Sequence, residues 1–118
     1  MLRIAMMIAA LAAGSAAMAQ ESADDELNRY WKAAIERIEG EERADTMTQL
    51  RASQRAWIRF RNEECEAVAA WWRPGAIATT MEGECLDRLT RVRTKTIWEA
   101  WLTYKDSTPP ILPRPAGE

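Results

Sequence analysis

No histidine occurs anywhere in the 118 residues. That removes the side chain most often used as a general base near neutral pH, and the commonest nitrogen ligand for metals. Cysteine is scarce: Cys65 and Cys85 are the only two, too few to complete a tetrahedral zinc shell without histidine. No glycine-rich stretch of the phosphate-cradling kind is present. Basic charge is not in excess, with 16 Lys and Arg against 18 Asp and Glu interspersed among them, which argues against a nucleic-acid partner. Two carboxylate pairs, Glu63 with Glu64 and Glu82 with Glu84, are of the type that glycosidases use. Adjacent residues on a helix nonetheless point about 100° apart, a poor geometry for flanking one bond. The expectation is a protein that is not an enzyme and carries no cofactor or metal.

Long hydrophobic runs are also missing. The apolar segment from Ile4 to Ala13, preceded by Arg3 and followed by Gly14, Ser15 and Ala17-Met18-Ala19, is shorter than the roughly 20 residues needed to span a bilayer. A basic start, a short apolar core and a small-residue end are the marks of a secretory signal peptide over residues 1–19. Cleavage after Ala19 would leave a chain beginning at Gln20, in the periplasm or outside the cell. Gln20 is not a lipid-bearing cysteine, so no membrane anchor is expected in the mature form. That form has 99 residues with 15 basic and 18 acidic side chains, a net charge of −3, and is of one-domain size. In an oxidising compartment Cys65 and Cys85 are expected to pair. Closing a loop of about 21 residues then stabilises the fold by roughly 3 kcal/mol on the chain-entropy model.

Hydrophobic periodicity gives three helices, and hence an all-α fold, a small three-helix bundle with one disulfide. Ser22 with Asp25 forms a capping box, and Leu27, Tyr30, Trp31, Ala34, Ile35 and Ile38 make one stripe that stops at Gly40. Asp45 or Thr46 is expected to cap a second helix with Met47, Leu50, Gln54, Trp57, Ile58, Arg61, Cys65, Val68 and Trp72 inward, ending at Arg73-Pro74-Gly75. A third runs from about Met81 to Tyr104 with Cys85, Leu86, Leu89, Arg93, Ile97, Ala100 and Tyr104 inward. The domain spans 20–105. Pro109, Pro110, Pro113 and Pro115 exclude regular helix from 106–118, which reads as an extended or disordered solvated tail.

Several residues break the pattern. Arg61 and Arg93 fall inside apolar stripes, which predicts a structural ion network with Asp24 and Glu64. Six tryptophans are more than a small core holds, and Trp71 and Trp98 lie off the stripes as candidate partner anchors. The turn between the second and third helices carries Glu82 and Glu84, which join Trp71 as candidate binding residues.

These residues together resemble the LprI-type lysozyme inhibitor family. Asp24, Leu27, Asn28 and Tyr30 are similar to its opening pattern. Gln54, Arg55, Ala56, Trp57, Ile58, Phe60, Arg61, Asn62 and Cys65 are similar to its central segment, and Cys85, Leu86, Leu89, Thr90, Arg93 and Ile97 to its close. The resemblance implies an exported helical bacterial domain whose partner is a protein, lysozyme, inhibited in the cell envelope. The alternative is an envelope interaction module with a different partner and no effect on lysozyme.

Overall fold

The computed structural model describes residues 21–117. The signal peptide expected over 1–19 and its cleavage site lie outside the described residues. Within them the chain forms three helices, α1 (Ala23–Gly40), α2 (Ala44–Trp72) and α3 (Ala78–Ile97), and α3 continues into one π-helical turn, Trp98–Leu102. No strand occurs among the described residues, so the all-α expectation holds.

The start of α1 is set by Ser22, whose Oγ accepts the Asp25 amide at 3.1 Å, with Asp24, Asp25 and Glu26 on the positive end of the helix. Its end falls within a residue of the expected one, but the glycine is not the residue that closes it. The helix runs through Gly40, and the left-handed residue is Glu42, at φ 55°. The Glu42 amide donates to the Glu39 carbonyl at 3.0 Å and the Arg43 amide to the Ile38 carbonyl at 3.3 Å, the two bonds of a Schellman cap. Glutamate pays a steric cost there that glycine avoids, so Glu42→Gly is expected to raise stability by about 1 kcal/mol. A urea midpoint that falls instead would show that the Glu42 side chain contributes something the backbone strain does not offset.

Helix α2 begins one residue before the expected caps. Arg43 is its cap position and makes no side-chain cap, while Asp45 lies in the first turn and accepts the Thr46 amide at 2.8 Å. It ends as the proline dictates, with Arg73 extended at ψ 145°. Gly75 then donates to the Trp72 carbonyl, and a Cβ at that glycine would lie 3.0 Å from the same oxygen. The connection is only 73–77, so Glu82 and Glu84 sit in α3, not in a turn.

Helix α3 is central and packs on both neighbours, whereas α1 and α2 touch far less. Its buried face is Ala78, Cys85, Thr90, Thr94 and Ile97, so two threonines replace the expected Ala100 and Tyr104, which are exposed. Thr94 is tolerated inside because its hydroxyl donates to the Thr90 carbonyl at 3.1 Å. The core gathers Leu27, Tyr30, Ala34, Ile97 and Leu102, with four tryptophans, Trp31, Trp57, Trp98 and Trp101, packed around it together with Ala33 and Leu112. Helix α2 buries only Leu50, Cys65 and Ala69, and Ile58 and Trp72, expected inward, are exposed.

The tail corrects the sequence reading. Residues 106–117 hold no helix, bend at 106–107 and 111–112, and are not free. The Ile111 amide donates to the Leu102 carbonyl at 2.9 Å, Trp98 Nε1 to the Leu112 carbonyl at 2.8 Å, and the Tyr30 hydroxyl to the Pro113 carbonyl. Pro115 is buried and Leu112 packs on the core. Proline excludes helix but leaves carbonyls free, and the aromatic N–H and O–H groups on α1 and α3 take them.

Candidate functional site

Cys65 on α2 and Cys85 on α3 form the one disulfide, with Cα atoms 5.5 Å apart. Both are buried. Helix α1 begins where Arg61 meets Asp24, so the part of the α2/α3 hairpin beyond that level has no third helix beside it. The disulfide crosses this two-helix extension.

At its base lies a cleft of about 250 Å³ lined by Ser22, Asp24, Arg61, Gly83, Leu86 and Thr90 among others. Arg61 supplies the hydrogen bonds: Nη1 to Thr90 Oγ1 at 3.1 Å and to Asp24 Oδ1 at 3.4 Å, and Nε and Nη2 to Asn62 Oδ1. Two guanidinium groups approach the Trp57 ring, Arg61 at 5.1 Å and Arg93 at 5.8 Å from its centre. The expected four-residue network forms only in part. Arg61 and Asp24 meet, but the Asp24 side chain is 75% exposed against 17% for Arg61. Glu64 is exposed and forms no ion pair among the described residues, because it lies about 60° around α2 from Arg61. Arg93 bonds neutral groups, Gln54 Oε1 at 2.9 Å and Ser53 Oγ at 3.0 Å.

Removing Arg61 leaves no buried carboxylate alone, so Arg61→Ala is expected to cost about 1–2 kcal/mol, from Thr90 and from packing on Trp57. Arg59→Ala, at an exposed position, should cost under about 0.5 kcal/mol. A loss of about 3 kcal/mol or more at Arg61 in urea unfolding would restore the buried-charge account.

The buried acid is Glu26, which the sequence pattern did not single out. It is 5% exposed, its Oε1 has no hydrogen bond among the described residues, and Arg91 Nη1 lies 3.7 Å away, while the Nε of the same arginine donates to Asp87. The signal was present: Ala23, Glu26, Leu27, Tyr30 and Ala34 follow the three- and four-residue steps of the buried face.

Of the partner candidates, Trp71 is 83% exposed at the tip, beside exposed Trp72 and Ile77. Glu82 is half-buried and Glu84 exposed, and two residues apart on α3 they point about 200° away from each other. Glu64 shares the Trp71 face of α2, seven residues before it, with Phe60, 53% exposed, four residues earlier still. Trp98 is set apart: its N–H is taken by the tail and its ring packs on the core, so it is not an open anchor.

Charge is distributed unevenly. Residues 62–87 carry six carboxylates, Glu63, Glu64, Glu66, Glu82, Glu84 and Asp87, against the single cation Arg73, a net −5. Arg73 is itself paired with Glu66. The other described residues carry 14 cations and 11 acids, a net +3. Among the described residues no group of acids, cysteines or histidines could hold a metal ion, and no helix is long and apolar enough to cross a membrane.

Comparison with known proteins gives a match of residues 7–97 to the family described as "Lysozyme inhibitor LprI". An uncharacterized protein of Rhizobium meliloti (strain 1021) is 29% identical over 87 residues, covering 66% of this chain and 63% of that protein. The chain thus spans under two thirds of that relative's length. No solved structure matches.

Proposed function

This chain belongs to the LprI lysozyme inhibitor family, and on that premise we propose that it is an exported protein that inhibits lysozyme in the cell envelope through the tip of the α2/α3 hairpin. The observation that carries this reading is the coincidence at the tip of a net charge of −5 with a tryptophan 83% exposed. Lysozymes are commonly basic, so an acidic tip is drawn to the enzyme before contact. Complementary charge speeds encounter more than it deepens affinity. Trp71, on a hairpin held by the disulfide, loses little freedom on binding and can supply the anchor. Phe60 and Glu64 extend the same face of α2, and Glu82 and Glu84 add to the negative charge of the hairpin from α3.

The test is a peptidoglycan lysis assay with purified protein, paired with association and dissociation rates. Replacing Glu63, Glu64, Glu82 and Glu84 by glutamine removes four charges that form no ion pair among the described residues. It is expected to slow association about tenfold at low salt and to flatten its salt dependence. Trp71→Ala should leave association nearly unchanged and hasten dissociation by about 30-fold. Parental inhibition by both variants would move the contact off the tip. A parent that does not slow lysis by any class of lysozyme would remove the inhibitor reading itself.

A further inference from the structure

A groove of about 600 Å³ runs between the first turns of α2 and the end of α3, a size typical of small-ligand sites. It is remote from the tip: Ser53 on its wall precedes Trp71 by 18 residues, about 27 Å of helix.

Arg93 lines the groove. A guanidinium has five N–H donors, and two of these are used, on Gln54 and Ser53. Among the described residues no carboxylate lies within 4.0 Å of it, and burial, with no opposing charge, pushes the guanidinium below its ordinary value. A half-buried cation without a counter-charge is costly to stability. The rest of the wall is of two kinds. Leu50 and Trp101 are apolar. Thr46, Gln49 and Ser53 lie on one face of α2, at steps of three and four residues, and carry hydroxyl and amide groups that both donate and accept. Trp101 is brought to the groove by the π-helical turn Trp98–Leu102, a geometry found frequently at functional sites. The acid at the rim, Asp45, is already engaged by Arg43 at 3.4 Å and by the Thr46 amide.

We propose that this groove binds a carboxylated saccharide. The ring lies against Trp101 and Leu50, its hydroxyls exchange hydrogen bonds with Thr46, Gln49 and Ser53, and its carboxylate takes the free N–H donors of Arg93. One uncompensated cation suits one anionic group, so a polyanion finds no second counter-charge in the groove. This site is independent of the hairpin tip, and its test does not involve lysozyme.

The purified protein, labelled with ¹⁵N, is titrated with N-acetylglucosaminyl-N-acetylmuramic acid, with neutral chitobiose and with sodium acetate. The acidic disaccharide is expected to shift the Trp101 indole and the Gln49 side-chain amide, and chitobiose to bind about tenfold more weakly or worse. Acetate, which has no ring, should bind more weakly still. Arg93→Gln should weaken the acidic disaccharide about 10- to 100-fold, the range for a charged hydrogen-bonded contact, and leave chitobiose unaffected. Because Arg93 also bonds Ser53 and Gln54, Gln49→Ala at an exposed position is a second variant, expected to weaken both sugars several-fold. Trp71→Ala should change nothing here. No shift with the acidic disaccharide, equal affinity for chitobiose or acetate, or shifts confined to other surfaces would each overturn the proposal.

Discussion

Ending the chain at Lys105 is expected to lower the unfolding free energy by about 2–4 kcal/mol, a large share of what a domain of this size has. The tail removes water from two aromatic polar groups, the Tyr30 hydroxyl and the Trp98 N–H, and supplies each with a carbonyl. It also covers core with Leu112 and Pro115. Burial of one such side chain contributes about 1.5–3 kcal/mol, and each hydrogen bond about 1 kcal/mol net. Part of this returns when water reaches the uncovered groups, which sets the estimate below the simple total. Urea unfolding followed by far-UV circular dichroism measures it, and Leu112→Ala should reproduce a third to a half of the loss. An unchanged midpoint in the truncated chain would mean that the tail only rests on the helices.

Replacing Cys65 and Cys85 together by alanine is expected to cost about 3 kcal/mol or more, since the loop they close spans 20 residues of separation and both side chains are buried. The loss should be uneven in its local expression. Beyond the start of α1 the hairpin is two helices deep, with exposed Trp71, Trp72 and Ile77 at its end, so amides of 66–72 and 78–84 should lose exchange protection first. The α1 amides, packed on α3 around Tyr30 and Ala34, should retain more of theirs. Equal loss of protection at all positions would show that the disulfide acts on global unfolding alone.

What the sequence made legible follows from how local its causes are. The Ser22 cap, the stop before Pro74 and the pairing of two cysteines depend on a few neighbouring residues, and each is found where expected. The end of α1 lies within a residue of the expected one, but the left-handed residue that closes it is Glu42 and not the glycine that usually takes that conformation. Thr90 and Thr94 were passed over as polar, yet Thr94 is satisfied by its own helix and Thr90 also accepts from Arg61. Glu26 was not singled out, because its partner, Arg91, is 65 positions along the chain. Arg93 was placed correctly on the inner side of α3, but its neutral partners depend on how α2 is rotated, which periodicity alone leaves undetermined. Of the tip residues only Trp71 could be located in advance, since Glu82 and Glu84 were assigned to a turn that is shorter than the sequence suggested.

The separation of charge between tip and body makes the molecule an electric dipole laid along α2, a helix of 29 residues and so about 44 Å long. Near a cationic surface such a dipole experiences a torque before any contact forms, and it turns acidic end first. At physiological ionic strength that torque acts over about 8 Å, and at 0.01 M over about 30 Å, most of the length of α2. Dilution of salt therefore increases the fraction of collisions that arrive in the right orientation, and a population of tips already aimed at the surface forms without any change in the final fit.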